Sequence, residues 1–265
     1  MSKGINLESV INEFKRFLKW ESQSFDNWES IEIFVADTLS EAWIKARPQD
    51  EKKFLDRSFK RMVDHANGKW LEKVDPSDSY KIILSTRYGD SVQSLTKCLV
   101  HEMRHCLDYQ NAVKELPFDA YSPGNDYYIN WSEFRAVYAQ VRYEFFVNRH
   151  DRMRDKDMFD LLAGILGKYS ADAVTGLLRS HNDVHDTLYF LSRYIGAARA
   201  VRNLNMEFLD AEVFHLWTMT PQYIIEKFGY VFYVGNEWDD TQVCALNAVP
   251  KTHYYNAMVD RIIAP

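Results

Sequence analysis

The chain has 265 residues, 46% apolar and 15% aromatic, with only 10 Gly and 7 Pro, a composition that excludes a disordered or low-complexity protein and predicts a substantial core. A formal charge of −6 argues against general affinity for nucleic acid, because neutralising phosphates needs a surplus of Lys and Arg on at least one face. The opening "MSKGINLESV" has no apolar signal region, and no later segment approaches the roughly 18 apolar residues of a membrane span, so a soluble cytoplasmic protein is expected.

In chain order, "NLESVINEFKRFLKW" places Leu7, Val10, Ile11, Phe14, Phe17 and Leu18 at helical spacing, with Asn6 as cap. "SIEIFVADT", residues 30 to 38, alternates like a strand. A polar helical stretch from Asp50 to about Ala66 leads through "NGKW" to a second strand, "YKIILST", residues 80 to 86. The next helix, from about Ser91 to Ala112, buries Val92, Leu95, Leu99, Met103, Cys106 and Leu107, and His101 and His105 flank that stripe. "ELPFDAYSPGNDYYIN", residues 115 to 130, reads as a loop. "WSEFRAVYAQVRYEFFVNR" then starts a helix capped by Asn130 or Ser132. "RHDRMRDKD", residues 149 to 157, balances its basic residues with three Asp and reads as a solvated connection. It is the best place for a boundary between a first region, 1–150, and a helical C-terminal subdomain, 151–265, the alternative being one domain. Beyond it, "MFDLLAGILGKYS", "DTLYFLSRYIGAARAVRNL" and "MEFLDAEVFHLW" predict helices, and "GYVFYVG", residues 229 to 235, a late strand. The expected class is α+β and helix-rich.

Chemistry concentrates in "LVHEMRHCLDYQ". Residues i and i+4 stand one above the other on a helix, so His101 and His105 can aim two imidazoles at one metal ion. Glu102 lies about 100° around the helix, beside the ion without being aimed as a ligand, where it can act as general base toward a metal-activated water. A hydrolytic zinc site needs a third protein ligand. Glu133 is the best candidate, in the first turn of the following helix, provided the two helices pack antiparallel. Its competing interpretation is an ordinary carboxylate favoured at a helix start. Asp108 is the other candidate, but it reaches the metal only if the helix bends, and it fits better as a carboxylate that fixes a neighbouring histidine or basic residue.

His101-Glu102-Met103-Arg104-His105 with a downstream Glu resembles the gluzincin group of zinc metallopeptidases across roughly residues 80 to 145. The resemblance implies one Zn²⁺ held by His101, His105 and Glu133, and a small zincin-like sheet packed on the motif helix. It also implies a protein or peptide substrate bound along an edge strand, for which "YKIILST" is the candidate. The chain departs from the group's usual Glu-x-x-x-Asp, because Val137 stands four residues after Glu133. Stabilising a tetrahedral oxyanion needs a Tyr, His or Arg near the metal. Tyr138, Tyr128, Tyr121, Tyr127 and His185 are the candidates, with His181 and His185 otherwise reading as capping or surface histidines and His215 as a core residue.

Three cysteines, Cys98, Cys106 and Cys244, without a C-x-x-C, suggest neither a disulfide framework nor a zinc ribbon. The alternative functions are a domain in which zinc only clamps helices, with His181 or His185 as fourth ligand, and a metal-free interaction protein of a phage or bacterial accessory element.

Overall fold

The computed structural model describes residues 5–21, 25–75, 77–87, 89, 91–115, 126–179 and 184–209. They are helix-rich, with one three-stranded sheet, and fall into two compact units that divide between Leu116 and Pro117. The late strand expected at 229 to 235, His181 and His215 lie outside the described residues. Among the described residues no helix is long and apolar enough to cross a membrane.

In the first unit α1 (Leu7–Trp20) begins at Asn6, whose side chain accepts from Glu8 N, and buries Val10, Phe14 and Phe17. Phe14 meets Phe25 and Trp28 edge to face, a geometry that matches the ring quadrupoles. β1 (Ile31–Ala36) follows, then α2 (Leu39–Ala46), a helix not expected from apolar periodicity. Its local signal is the capping box of Thr38 and Glu41, in which each side chain bonds the other's backbone N–H. The expected single helix from Asp50 to Ala66 is instead a 3-10 stretch, Pro48–Leu55, and α3 (Arg57–Asp64). Asp56 breaks it, its carboxylate capping Ser58 N and Phe59 N. The buried Asp64 accepts from Ser40 N at 2.8 Å and ties α3 to the start of α2.

β2 (Gly68–Leu71) and β3 (Tyr80–Ser85) complete the sheet, in the order β1-β3-β2. β1 runs parallel to β3 and β2 antiparallel to it. "YKIILST" is therefore the central strand, not an edge. Ile82, Ile83 and Leu84 are all fully buried, as expected for a strand covered on both faces. The strand beside it comes from "NGKW", which looked like a connection. α4 (Val92–Glu115) packs against β2, β3 and α1, and buries Leu95, Leu99, Val100, Met103, Cys106 and Leu107.

The second unit holds α5 (Asp126–Asn148), α6 (Asp155–Arg179) and α7 (Val184–Phe208). Residues 126 to 130, expected in a loop, are already helical. The charged stretch after Asn148 joins α5 to α6, with Arg154 forking onto Asp157. Glu133 with Arg193, Tyr138 with Asn203 and Arg142 with Glu207 advance together along both helices, so α5 and α7 run parallel. They approach closely at Gly196, where a Cβ would stand 2.4 Å from the carbonyl oxygen of Phe134. That neighbour is backbone and cannot rotate aside. Gly196→Ala is expected to cost about 1–3 kcal/mol by forcing the helices apart, measured by urea denaturation; an unchanged midpoint would contradict this packing.

Candidate metal centre

α4 carries the first part of the site because its buried stripe fixes the helix against the sheet, leaving His101, Glu102 and His105 partly exposed on its flank. His101 Nε2 and His105 Nε2 are 3.0 Å apart, and the rings stand at 81° to each other with centroids 4.7 Å apart. Two nitrogens bound to one tetrahedral zinc at 2.0–2.1 Å are roughly 3.3 Å apart. The pair thus fits a zinc ion with adjustments of a few tenths of an ångström. The same nitrogens also suit a direct imidazole hydrogen bond, with one ring as donor and the other as acceptor.

Glu102 turns toward the sheet. Its Oε2 accepts from Trp70 N on β2 at 3.1 Å. Close approach is possible because residue 68 is glycine: a Cβ there would stand 2.5 Å from Cys98 Sγ and 3.1 Å from Glu102 Cγ. Trp70 stacks obliquely on Tyr109, centroids 4.9 Å apart, so an aromatic surface continues along α4 beyond Glu102.

Asp108 is fully buried and its Oδ1 accepts from Arg104 Nε at 2.8 Å and from Nη2. Its carboxylate engages the basic residue one turn back, whose guanidinium also lies over the Phe25 ring. Cys106 lies in the core, and burial pushes its thiol up to about 12. Cys98 is likewise raised by burial, with a contribution from Glu102. Both thiols are protonated at neutral pH and inert as nucleophiles.

In the second unit Glu133 lies two turns into α5, not in its first turn, so the helix N-terminus does not account for it. Its side chain is buried and paired with Arg193 of α7, which also donates to Tyr189 Oη at 3.2 Å. Burial works against the guanidinium charge, but Glu133 and Tyr189 outweigh it and hold Arg193 above its ordinary value. Tyr138 Oη accepts from Asn203 Nδ2 at 2.8 Å. Tyr128 and His185 fall in the first turns of α5 and α7, their side chains outside the described set, and Tyr127 is in the same position. Tyr121 lies outside the described residues altogether.

Two features escaped the sequence. Arg193 had no local signal, since its partner is 60 residues away. Gly68 and Trp70 did have one: a glycine and an aromatic four residues from end to end of a strand, too short for alternation to register.

Compared with protein-family models, with characterised proteins and with solved structures, the chain matches none.

Proposed function

We propose that the protein is a zinc-dependent metallopeptidase in which His101, His105 and Glu133 hold one Zn²⁺ and Glu102 is the general base. The observation that carries this reading is the convergence of the two Nε2 atoms, with an ionisable carboxylate between them in sequence and anchored on the adjacent strand. Two imidazoles and one carboxylate are the donor types of hydrolytic zinc sites that keep a position open. The small sheet against α4 supports a zincin-like arrangement, in which β1 and β2, not β3, are the outer strands among the described residues.

When bound, zinc supplies Lewis acidity, polarising the scissile carbonyl and acidifying a water. The chain's own part follows from its chemistry. His101 and His105 keep their Nε2 lone pairs for the ion. Glu102 accepts the proton as water attacks and returns it to the leaving amine. A buried Glu133 adds one negative charge to the donor set, moderated by Arg193.

Protein purified without chelator or histidine tag is expected to carry one zinc per chain by elemental analysis and to hydrolyse casein, with both lost on chelation. Glu133→Ala is expected to weaken zinc binding at least about 10-fold to 100-fold. Metal-free protein that cannot be loaded would sink the reading. The Glu133–Arg193 ion pair favours a second reading, in which that carboxylate only joins α5 to α7 and the domain is a binding module. In that case Glu133→Ala lowers stability and leaves zinc affinity unchanged.

A further inference from the structure

The outer edge of β2 consists of very few groups. Ser85 N donates to Asn67 O at 2.8 Å, and Gly68 and Trp70 pair in register with Leu84 and Ile82. Facing residues in an antiparallel ladder alternate between exchanging hydrogen bonds and turning them away. Asn67, Lys69 and Leu71 therefore direct their backbone groups to β3, and Gly68 and Trp70 direct theirs off the sheet.

An outward N–H on an edge strand ordinarily serves water or an incoming strand. Here Trp70 N–H donates to Glu102 Oε2 at 3.1 Å, across 32 residues of sequence. The stem of the same side chain lies against Gly68. β2 thus holds Glu102 at two points, and Oε1 is left without a hydrogen bond among the described residues. A carboxylate with one oxygen anchored and the other open is the arrangement a general base needs, because orientation is settled before the proton moves.

We propose that the backbone N–H of Trp70 is the positioning group for Glu102, with Gly68 as the residue that admits it, so that β2 presents Oε1 as the proton acceptor. The inference rests on the proposed general-base role of Glu102. It adds that this role depends on a strand whose side chains need not take part.

Two comparisons test it. Trp70→Ala and Trp70→Pro both remove the indole, but only proline removes the N–H, and an outward-facing edge position tolerates proline without losing a ladder bond. At equal zinc content, kcat for casein peptides is expected to be at least about tenfold lower in Trp70→Pro than in Trp70→Ala, with KM the same in both. Independently of activity, amide hydrogen exchange in the intact protein reads the bond itself. Trp70 N–H is expected to be protected in the wild type and in Glu102→Gln, whose amide oxygen still accepts. In Glu102→Ala its exchange accelerates at least about tenfold, with Lys69 and Leu71 unchanged. Equal kcat in the two Trp70 variants, with hydrolysis present, overturns the positioning role and spares the general base. Unchanged Trp70 exchange in Glu102→Ala overturns the proposal even where Trp70→Pro does not fold. A wild-type protein that binds zinc and cleaves nothing overturns the enzyme reading and the positioning role together.

Discussion

Glu102→Gln is expected to retain one zinc per chain and to lose hydrolysis by a factor of about 10²–10⁴, the usual contribution of a positioned general base. The substitution preserves volume and keeps an oxygen that can accept from Trp70 N–H, so the packing of α4 on β2 at Gly68 stays intact. Basicity alone is removed. His101→Ala and His105→Ala are expected to lose metal and activity together, because either leaves one imidazole where two nitrogens now converge at 3.0 Å. The discriminating measurement is elemental zinc analysis beside a peptide-cleavage assay on the same preparations. Proteolysis surviving in Glu102→Gln would end the proposed mechanism. Zinc surviving in both histidine variants would place the metal elsewhere.

The largest stability effect is expected at Asp108. Arg104 and Asp108 are both buried on α4, 4% and 0% exposed, and form an ion pair there. Asp108→Ala removes the carboxylate that accepts from two donors of the buried Arg104 and is expected to cost about 3–5 kcal/mol. Replacing both, Arg104→Met with Asp108→Leu, is expected to be close to neutral or stabilising, because it removes two desolvation penalties along with their mutual attraction. Urea denaturation of the single and double variants tests this. A loss below about 1 kcal/mol in Asp108→Ala would mean the pair is effectively hydrated. Zinc content of the same variant bears on the site: with Asp108 engaged by Arg104, the metal is expected to stay.

Much of α4 was legible because helical order is local. Apolar residues three and four apart define its buried face whatever surrounds it, and the same 3.6-residue repeat brings His101 and His105 together. The strand at β3 was also legible, but not its place. "YKIILS" reads equally well as an edge or a centre, and pairing on both sides decided for the centre. β2 was passed over because four residues with a glycine have little strand character of their own and become a strand through bonds to β3. The start of α5 was misplaced because Asn130 and Ser132 are good caps in isolation, while the helix begins at Asp126.

The sequence by itself determined the helix-rich α+β character, the motif helix and the placement of His101, Glu102 and His105 along it, since each depends on neighbours within one or two turns. Only the tertiary structure decided which strand lies at the sheet's edge, that Trp70 N–H takes Glu102, and that Glu133 faces Arg193. Those contacts join residues 32 and 60 positions apart. Backbone donors carry no residue-specific signature, and ion pairs between helices leave no periodicity, so folding the chain is what selects them.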